Sequence, residues 1–73
     1  MARIIRVNVT VCHNEQTVIM FRNVRLDMTH IPEDSNRGMN QAFEEQHPVL
    51  LSRIPTWNEG VFRYRAYFYC RRV

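Results

Sequence analysis

Residues with alternating character at both ends of the chain constrain the fold more than anything else. In "RIIRVNVTVCH", Ile5, Val7, Val9 and Val11 alternate with Arg6, Asn8, Thr10 and Cys12. This is a period of two over eight residues, with β-branched side chains on one parity, and it predicts a half-buried strand. "HNEQ" breaks the pattern, and "TVIMFRNVRLDM" resumes it with Val18, Met20, Val24 and Leu26 on one parity. A hairpin centred on Asn14–Glu15 sets Val11 against Val18, Val9 against Met20 and Ile5 against Val24, so that apolar faces apolar in every pair. Arg22 dissents, because that register points it inward opposite Val7. Either a bulge turns it out, or it reaches Glu44 or Glu45 on a core-facing helix.

The carboxy-terminal stretch "VFRYRAYFYCRRV" alternates as well. Phe62, Tyr64, Ala66, Phe68 and Cys70 form its more apolar parity, and Arg63, Arg65, Tyr67, Tyr69 and Arg71 form the other. Between the strand-like ends, Ser35 or Asn36 offers a helix N-cap, followed by Met39, Ala42 and Phe43 at helical spacing. Pro48 biases His47 away from helical angles and ends that helix. Gly38 weakens it by roughly 1 kcal/mol relative to alanine. "VLLSRIPTWNEG" reads as a connection anchored by Leu50, Leu51, Ile54 and Trp57. The expected fold is therefore α+β: a three-stranded antiparallel or mixed sheet in the order strand, strand, helix, strand (ββαβ). One short helix lies on one face. Strand one, the most regularly apolar, takes the centre of a 2-1-3 order with a right-handed crossover.

Seventy-three residues make room for one compact domain, 1–73, with a thin core. No apolar run approaches the roughly 20 residues of a membrane helix, and the first residues lack the continuous apolar stretch of a signal peptide, so a cytoplasmic protein is expected. Cys12 and Cys70 fall on opposite faces of the sheet. Two free thiols are expected, in keeping with a reducing compartment.

Charge is distributed by region. Residues 1–26 carry Arg3, Arg6, Arg22 and Arg25 against Glu15, and residues 61–73 carry Arg63, Arg65, Arg71 and Arg72 with no acid. The middle holds Asp27, Glu33, Asp34, Glu44, Glu45 and Glu59 against Arg37 and Arg53. All ten basic residues are arginine. Genome composition accounts for such a bias without function; the physical alternative is a need for flat, multiply donating guanidinium groups.

One helix covers one face of the sheet. The other face collects Arg6, Asn8, Thr10, Ile19, Phe21, Asn23, Arg25, Arg63, Arg65, Tyr67, Tyr69 and Arg71. The candidate binding residues are the aromatic and arginine members, Arg6, Phe21, Arg25, Arg63, Arg65, Tyr67, Tyr69 and Arg71. This composition fits docking on an acidic protein or a protein–nucleic-acid complex. It also fits direct binding of single-stranded nucleic acid, RNA in particular, by stacking and phosphate neutralisation. The plainer reading covers Phe21 and Ile19 with residues 48–60, Trp57 serving as the lid, or buries the face in a homodimer. The acidic segment 27–46 weighs against wrapping a polyanion.

Chemistry of other kinds has little footing. His13, His30 and His47 are far apart, and no C-x-x-C or H-x-x-x-H spacing suggests a metal. There is no glycine-rich phosphate loop and no cofactor motif. His47 before Pro48 has no matched nucleophile. A small ribonuclease-type toxin, with Arg, Tyr and His on a sheet, is the enzymatic alternative, without a spacing that defines it. The expectation is a small non-enzymatic binding protein, a regulator or inhibitor. Size alone places virus- or mobile-element-encoded inhibitors, anti-CRISPR proteins among them, in that class; such a protein would act in the host cytoplasm.

Overall fold

A computed structural model describes residues 1–32 and 34–73. Glu33, counted above with the acidic middle, lies outside the described residues. The elements run β1 (Ile4–His13), β2 (Gln16–Asp27), α1 (Asn36–Gln46), α2 (Pro48–Ser52), β3 (Thr56–Glu59), β4 (Phe62–Arg65) and β5 (Tyr67–Arg72). The main sheet has the order β2-β1-β5, with both pairings antiparallel. The α+β architecture and the 2-1-3 order are as expected from the alternation.

The β1–β2 turn uses two residues, Asn14 and Glu15, both at positive φ (50° and 65°). That is the signature of a type I′ turn, whose twist matches the strands it joins. Asn tolerates this region; Glu lacks that ease and is strained there. Glu15→Gly should therefore raise stability by about 0.5–1 kcal/mol, read as a higher midpoint in urea unfolding at unchanged slope.

The register departs from the uniform one. Near the turn His13 pairs with Gln16 and Cys12 with Thr17, as a turn at Asn14–Glu15 requires. Beyond that, Val11 faces Ile19, Val9 faces Phe21, Val7 faces Val24 and Ile5 faces Leu26. Two irregularities cause this, one between Val11 and Cys12 and one between Val7 and Val9. At the second, Asn8 stands opposite both Arg22 and Asn23. Asn23 takes φ 56°, and its N–H donates to the Asn8 Oδ1 at 3.0 Å. Each bulge inverts the parity of β2, so only the segment between them is flipped. Ile19 and Phe21 turn toward the core, while Val18 and Met20 turn outward at 45% and 41% exposure. Arg22 is exposed, resolved by a bulge and not by pairing with Glu44 or Glu45.

The core lies between the sheet and α1. Val7, Val9, Val11, Leu26, Met28, Ala42 and Phe43 are all fully buried. Phe43 sits at the centre, with ring centroids 5.4 Å from Phe68, 6.2 Å from Phe21 and 5.7 Å from His47. Ser35 caps α1, its Oγ accepting from the Gly38 N–H at 3.2 Å. The helix is also a strap. At its start, Asn36 Nδ2 donates to the Cys70 carbonyl on the β5 edge at 2.6 Å. At its end, the Gln46 amide accepts from Asp27 N–H and donates to Asp27 C=O on the β2 edge, both at 2.8 Å. His47 Nε2 lies 2.6 Å from the Arg25 carbonyl. The carbonyl only accepts, so that imidazole nitrogen carries the proton. Both sheet edges are thus partly closed by one helix, which limits edge-to-edge association.

Residues 48–60 hold more structure than a connection. Pro48 opens α2 at its first turn, where a missing N–H costs nothing. Ile54 is buried, and Leu50, Leu51 and Trp57 are half-buried against the core. A second sheet follows, the β3–β4 hairpin, closed at Gly60 (φ 61°). The expected single last strand is therefore divided at Ala66 into β4, which pairs with β3, and β5, which pairs with β1. His13 stacks on Trp57 with centroids 3.7 Å apart and planes 8° apart, and this fixes the hairpin to the end of β1. The hairpin tip exposes Val61 and Phe62.

Candidate interaction face

The side of the main sheet away from α1 is built by alternation. On β1 it takes Arg6, Asn8, Thr10 and Cys12, because Ile5, Val7, Val9 and Val11 fill the core. On β5 it takes Tyr67, Tyr69 and Arg71, because Phe68 and Cys70 are buried. On β2 it takes Arg25, opposite Arg6, and Met20, opposite Thr10. Cys12 and Cys70 are accordingly free thiols on opposite faces. Burial pushes the Cys70 thiol up to about 11.

Across the sheet, the rows read Arg25–Arg6, then Asn8–Arg71, then Met20–Thr10–Tyr69, then Cys12–Tyr67. Thr10 is buried to 7% exposure although it lies on this face, between Met20 and Tyr69 in register. Tyr67 is 65% exposed, and its ring centroid is 6.0 Å from that of Tyr69 with the planes tilted by 36°. An apolar centre of Val18, Met20, Tyr67 and Tyr69 therefore stands beside a cluster of arginines.

Arg63 and Arg65 lie on the β3–β4 hairpin and not on the main sheet. The Ala66 N–H donates to the Pro55 carbonyl at 3.0 Å, one step past the Thr56–Arg65 pair, so the hairpin ladder reaches Ala66 before the chain changes partner. Trp57 and Tyr64 take the His13 side of the hairpin. Arg63 and Arg65 take the other parity of the hairpin. Of the eight residues expected together on the main sheet, Arg6, Arg25, Tyr67, Tyr69 and Arg71 share its open face, Arg63 and Arg65 lie on the separate hairpin, and Phe21 lies on the helix side. The flipped segment of β2 places it on the helix side against Phe43, and Met20 takes the outward position. Sequence reasoning missed Met20 and Val18. The inward-pointing Arg22, followed by an αL-tolerant asparagine, was the available signal.

Electrostatics separates the arginines into two groups. Arg3 and Arg72 both pair with Asp34, and Arg3 Nη1 also donates to the carbonyls of Met28 at 3.2 Å and Ile31 at 3.0 Å. These arginines hold the loop after β2. Among the described residues, those are the two salt bridges; Arg6, Arg25 and Arg71 have no carboxylate within bridging distance. Arg6 Nη1 reaches only the Asn23 carbonyl, at 3.4 Å. Glu44 and Glu45 are exposed on α1, on the other side of the sheet.

Asp27 is the acid nearest Arg25 in sequence on this face. Its carboxylate is held by Thr29, which donates both its hydroxyl and, at 2.9 Å, its N–H to Oδ1. The Thr29 hydroxyl, then the Thr29 N–H, lower its pKa below 3.8, with smaller help from Arg25 and His30. A carboxylate with a depressed folded pKa stabilises the fold above the unfolded value and loses that contribution as pH falls through the folded one. Below pH 3.8, therefore, the wild type should lose stability faster than Asp27→Asn, measured by thermal unfolding over an acid series. A cleft of about 460 Å³ opens here, lined by Arg25, Asp27, His30, Ile31, Gln46 and His47. Gln46 and one nitrogen of His47 are already committed to the β2 backbone.

No helix of the described residues is long and apolar enough to cross a membrane. Comparison with protein-family models, with curated proteins and with solved structures finds no match to this chain.

Proposed function

We propose that this chain is a small, non-enzymatic binding protein that docks its open sheet face on an acidic partner protein, and so regulates or inhibits that partner. An assembly that handles nucleic acid is a fitting target, since its surfaces and bound strands supply negative charge. The observation that carries the reading is the layout of the face. Exposed apolar and aromatic groups (Val18, Met20, Tyr67) occupy the centre, and Arg6, Arg25 and Arg71, bridged by no described carboxylate, lie at one end, with Arg63 and Arg65 on the adjoining β3–β4 hairpin. An apolar centre with a charged rim is the anatomy of a protein interface, in which Tyr, Met and Arg are enriched.

Single-stranded nucleic acid is the competing ligand, and one feature favours protein over it. A strand alternates base and phosphate at every nucleotide, and a groove for it interleaves cations with rings along its length. Here the two tyrosines adjoin, and Val18 and Met20 beside them offer no ring for a base. The test is capture from a nuclease-treated lysate of the source cell with the full chain as bait. The same partner should be retained after nuclease, and Tyr67→Ala should reduce its recovery about tenfold, the scale of an interface hot spot. Recovery that disappears with nuclease, or that ignores Tyr67, contradicts the reading.

A further inference from the structure

We propose that Arg6, Arg25 and Arg71 form a carboxylate-binding seat, the point at which paired acidic side chains of the partner are held. This rests on the docking reading above and adds which residues anchor the charge and by what chemistry.

Arg6 and Arg25 are direct cross-strand partners, both exposed and both on the open face. Directly opposed side chains of an antiparallel pair have Cβ atoms roughly 5 Å apart, and like charges there destabilise the sheet. Arg71 is paired with Asn8, two residues along β1 from Arg6, which makes it the diagonal neighbour from the third strand. Three strands thus each place one arginine at one corner of the face. A few residues away the same fold neutralises Arg3 and Arg72 with a single shared carboxylate, Asp34. No described acid forms a salt bridge with this cluster. The nearest on the face, Asp27, has one oxygen held by Thr29.

A ligand that relieves the repulsion must bring more than one negative oxygen. Guanidinium groups offer pairs of parallel N–H donors that match the two oxygens of a carboxylate, which an ammonium does not. Arg6 is held partly in place by its contact to the Asn23 carbonyl across the bulge, at 3.4 Å. The Asn23 backbone is itself fixed by Asn8, so the bulge shapes one wall of the seat.

The test uses acetylated hexaglutamate as the probe, titrated into the full chain at constant ionic strength and followed by amide shifts. Hexaglutamate has no aromatic group to meet Tyr67, so it reads the arginines alone, whereas lysate capture reads the whole face. The seat and the docking reading can therefore fail separately. Arg6→Gln and Arg25→Gln should each weaken hexaglutamate about tenfold, as expected for loss of a charge-assisted paired contact. Arg25→Lys should weaken it several-fold although the charge is kept. Arg37→Gln and Arg53→Gln, on exposed sites of α1 and after α2, should change it little. Equal losses for all four glutamine variants would reduce the effect to net charge and overturn the proposal. So would an oligothymidine that binds more tightly than hexaglutamate and displaces it.

Discussion

Phe43→Ala is expected to remove about 3–5 kcal/mol of stability, the usual range for truncating a buried phenylalanine. Phe43 is fully buried, and three rings from three different elements pack on it: Phe21 of β2, Phe68 of β5 and His47 at the end of α1. The cavity left would border all three, and the strap formed by Asn36, Gln46 and His47 leaves α1 little freedom to collapse into it. A 73-residue chain has on the order of 4–11 kcal/mol in total, so the variant stands at the edge of folding. Phe43→Leu, closer in size, should cost much less and keep a cooperative transition. Urea unfolding of the two variants beside the wild type measures both effects. A loss below about 1 kcal/mol for Phe43→Ala would mean that α1 does not pack where it is described.

Arg6→Glu should separate stability from binding in opposite directions. It replaces a like-charge pair with an opposite-charge one against Arg25 and brings an acid near Arg71. Cross-strand pairs of this kind contribute roughly 0.2–1 kcal/mol, so the folded state should gain slightly in place of losing. Recovery of an acidic partner should fall by at least about tenfold, since a carboxylate now sits where one must bind. A residue kept only for folding would show the reverse: lower stability and unchanged recovery. Thermal unfolding and quantitative capture on the same preparations give the two readouts.

The fold was readable wherever the period of two was unbroken. Ile5 to Val11 and Ala66 to Cys70 gave the central strand, its neighbour and the strand order, because burying one parity of each leaves a single arrangement. The turn at Asn14–Glu15 was legible from its polarity and its fit between the runs. What escaped lies where backbone geometry changes the parity without changing the residue types. Between Val18 and Arg22 both parities are largely apolar, so Val18 and Met20 fit the inside as well as Ile19 and Phe21 do. The bulges decide, and a bulge is visible beforehand only through the misplaced Arg22 and the αL-tolerant Asn23. The β3–β4 hairpin was hidden for a related reason. Thr56 to Glu59 has only four residues, and β4 shares its alternation with β5, so nothing in the side chains announces that the strand changes partners at Ala66.

Along β5 the alternation places Tyr67, Tyr69 and Arg71 on the same side of the main sheet as Arg6, whereas Arg63 and Arg65 precede the change of partner at Ala66. The electrostatics of the face was less legible. The acidic middle of the sequence counted against an anionic ligand, yet Glu44 and Glu45 sit on α1, across the sheet from these arginines. Linear charge runs say nothing of which side of a sheet they reach.

The most direct test of the account uses the four methionine methyl groups as reporters, observed in a spectrum of methyl-labelled chain titrated with the partner purified by nuclease-resistant capture. Met20 lies on the open face, Met28 and Met39 lie in the core beneath the other face, and Met1 is at the exposed start. With the partner on the open face, the Met20 methyl shifts and saturates while Met28 and Met39 hold their positions. A saturating titration that leaves Met20 unmoved, or that moves Met39 in its place, would put the contact on the helical side and contradict the claim.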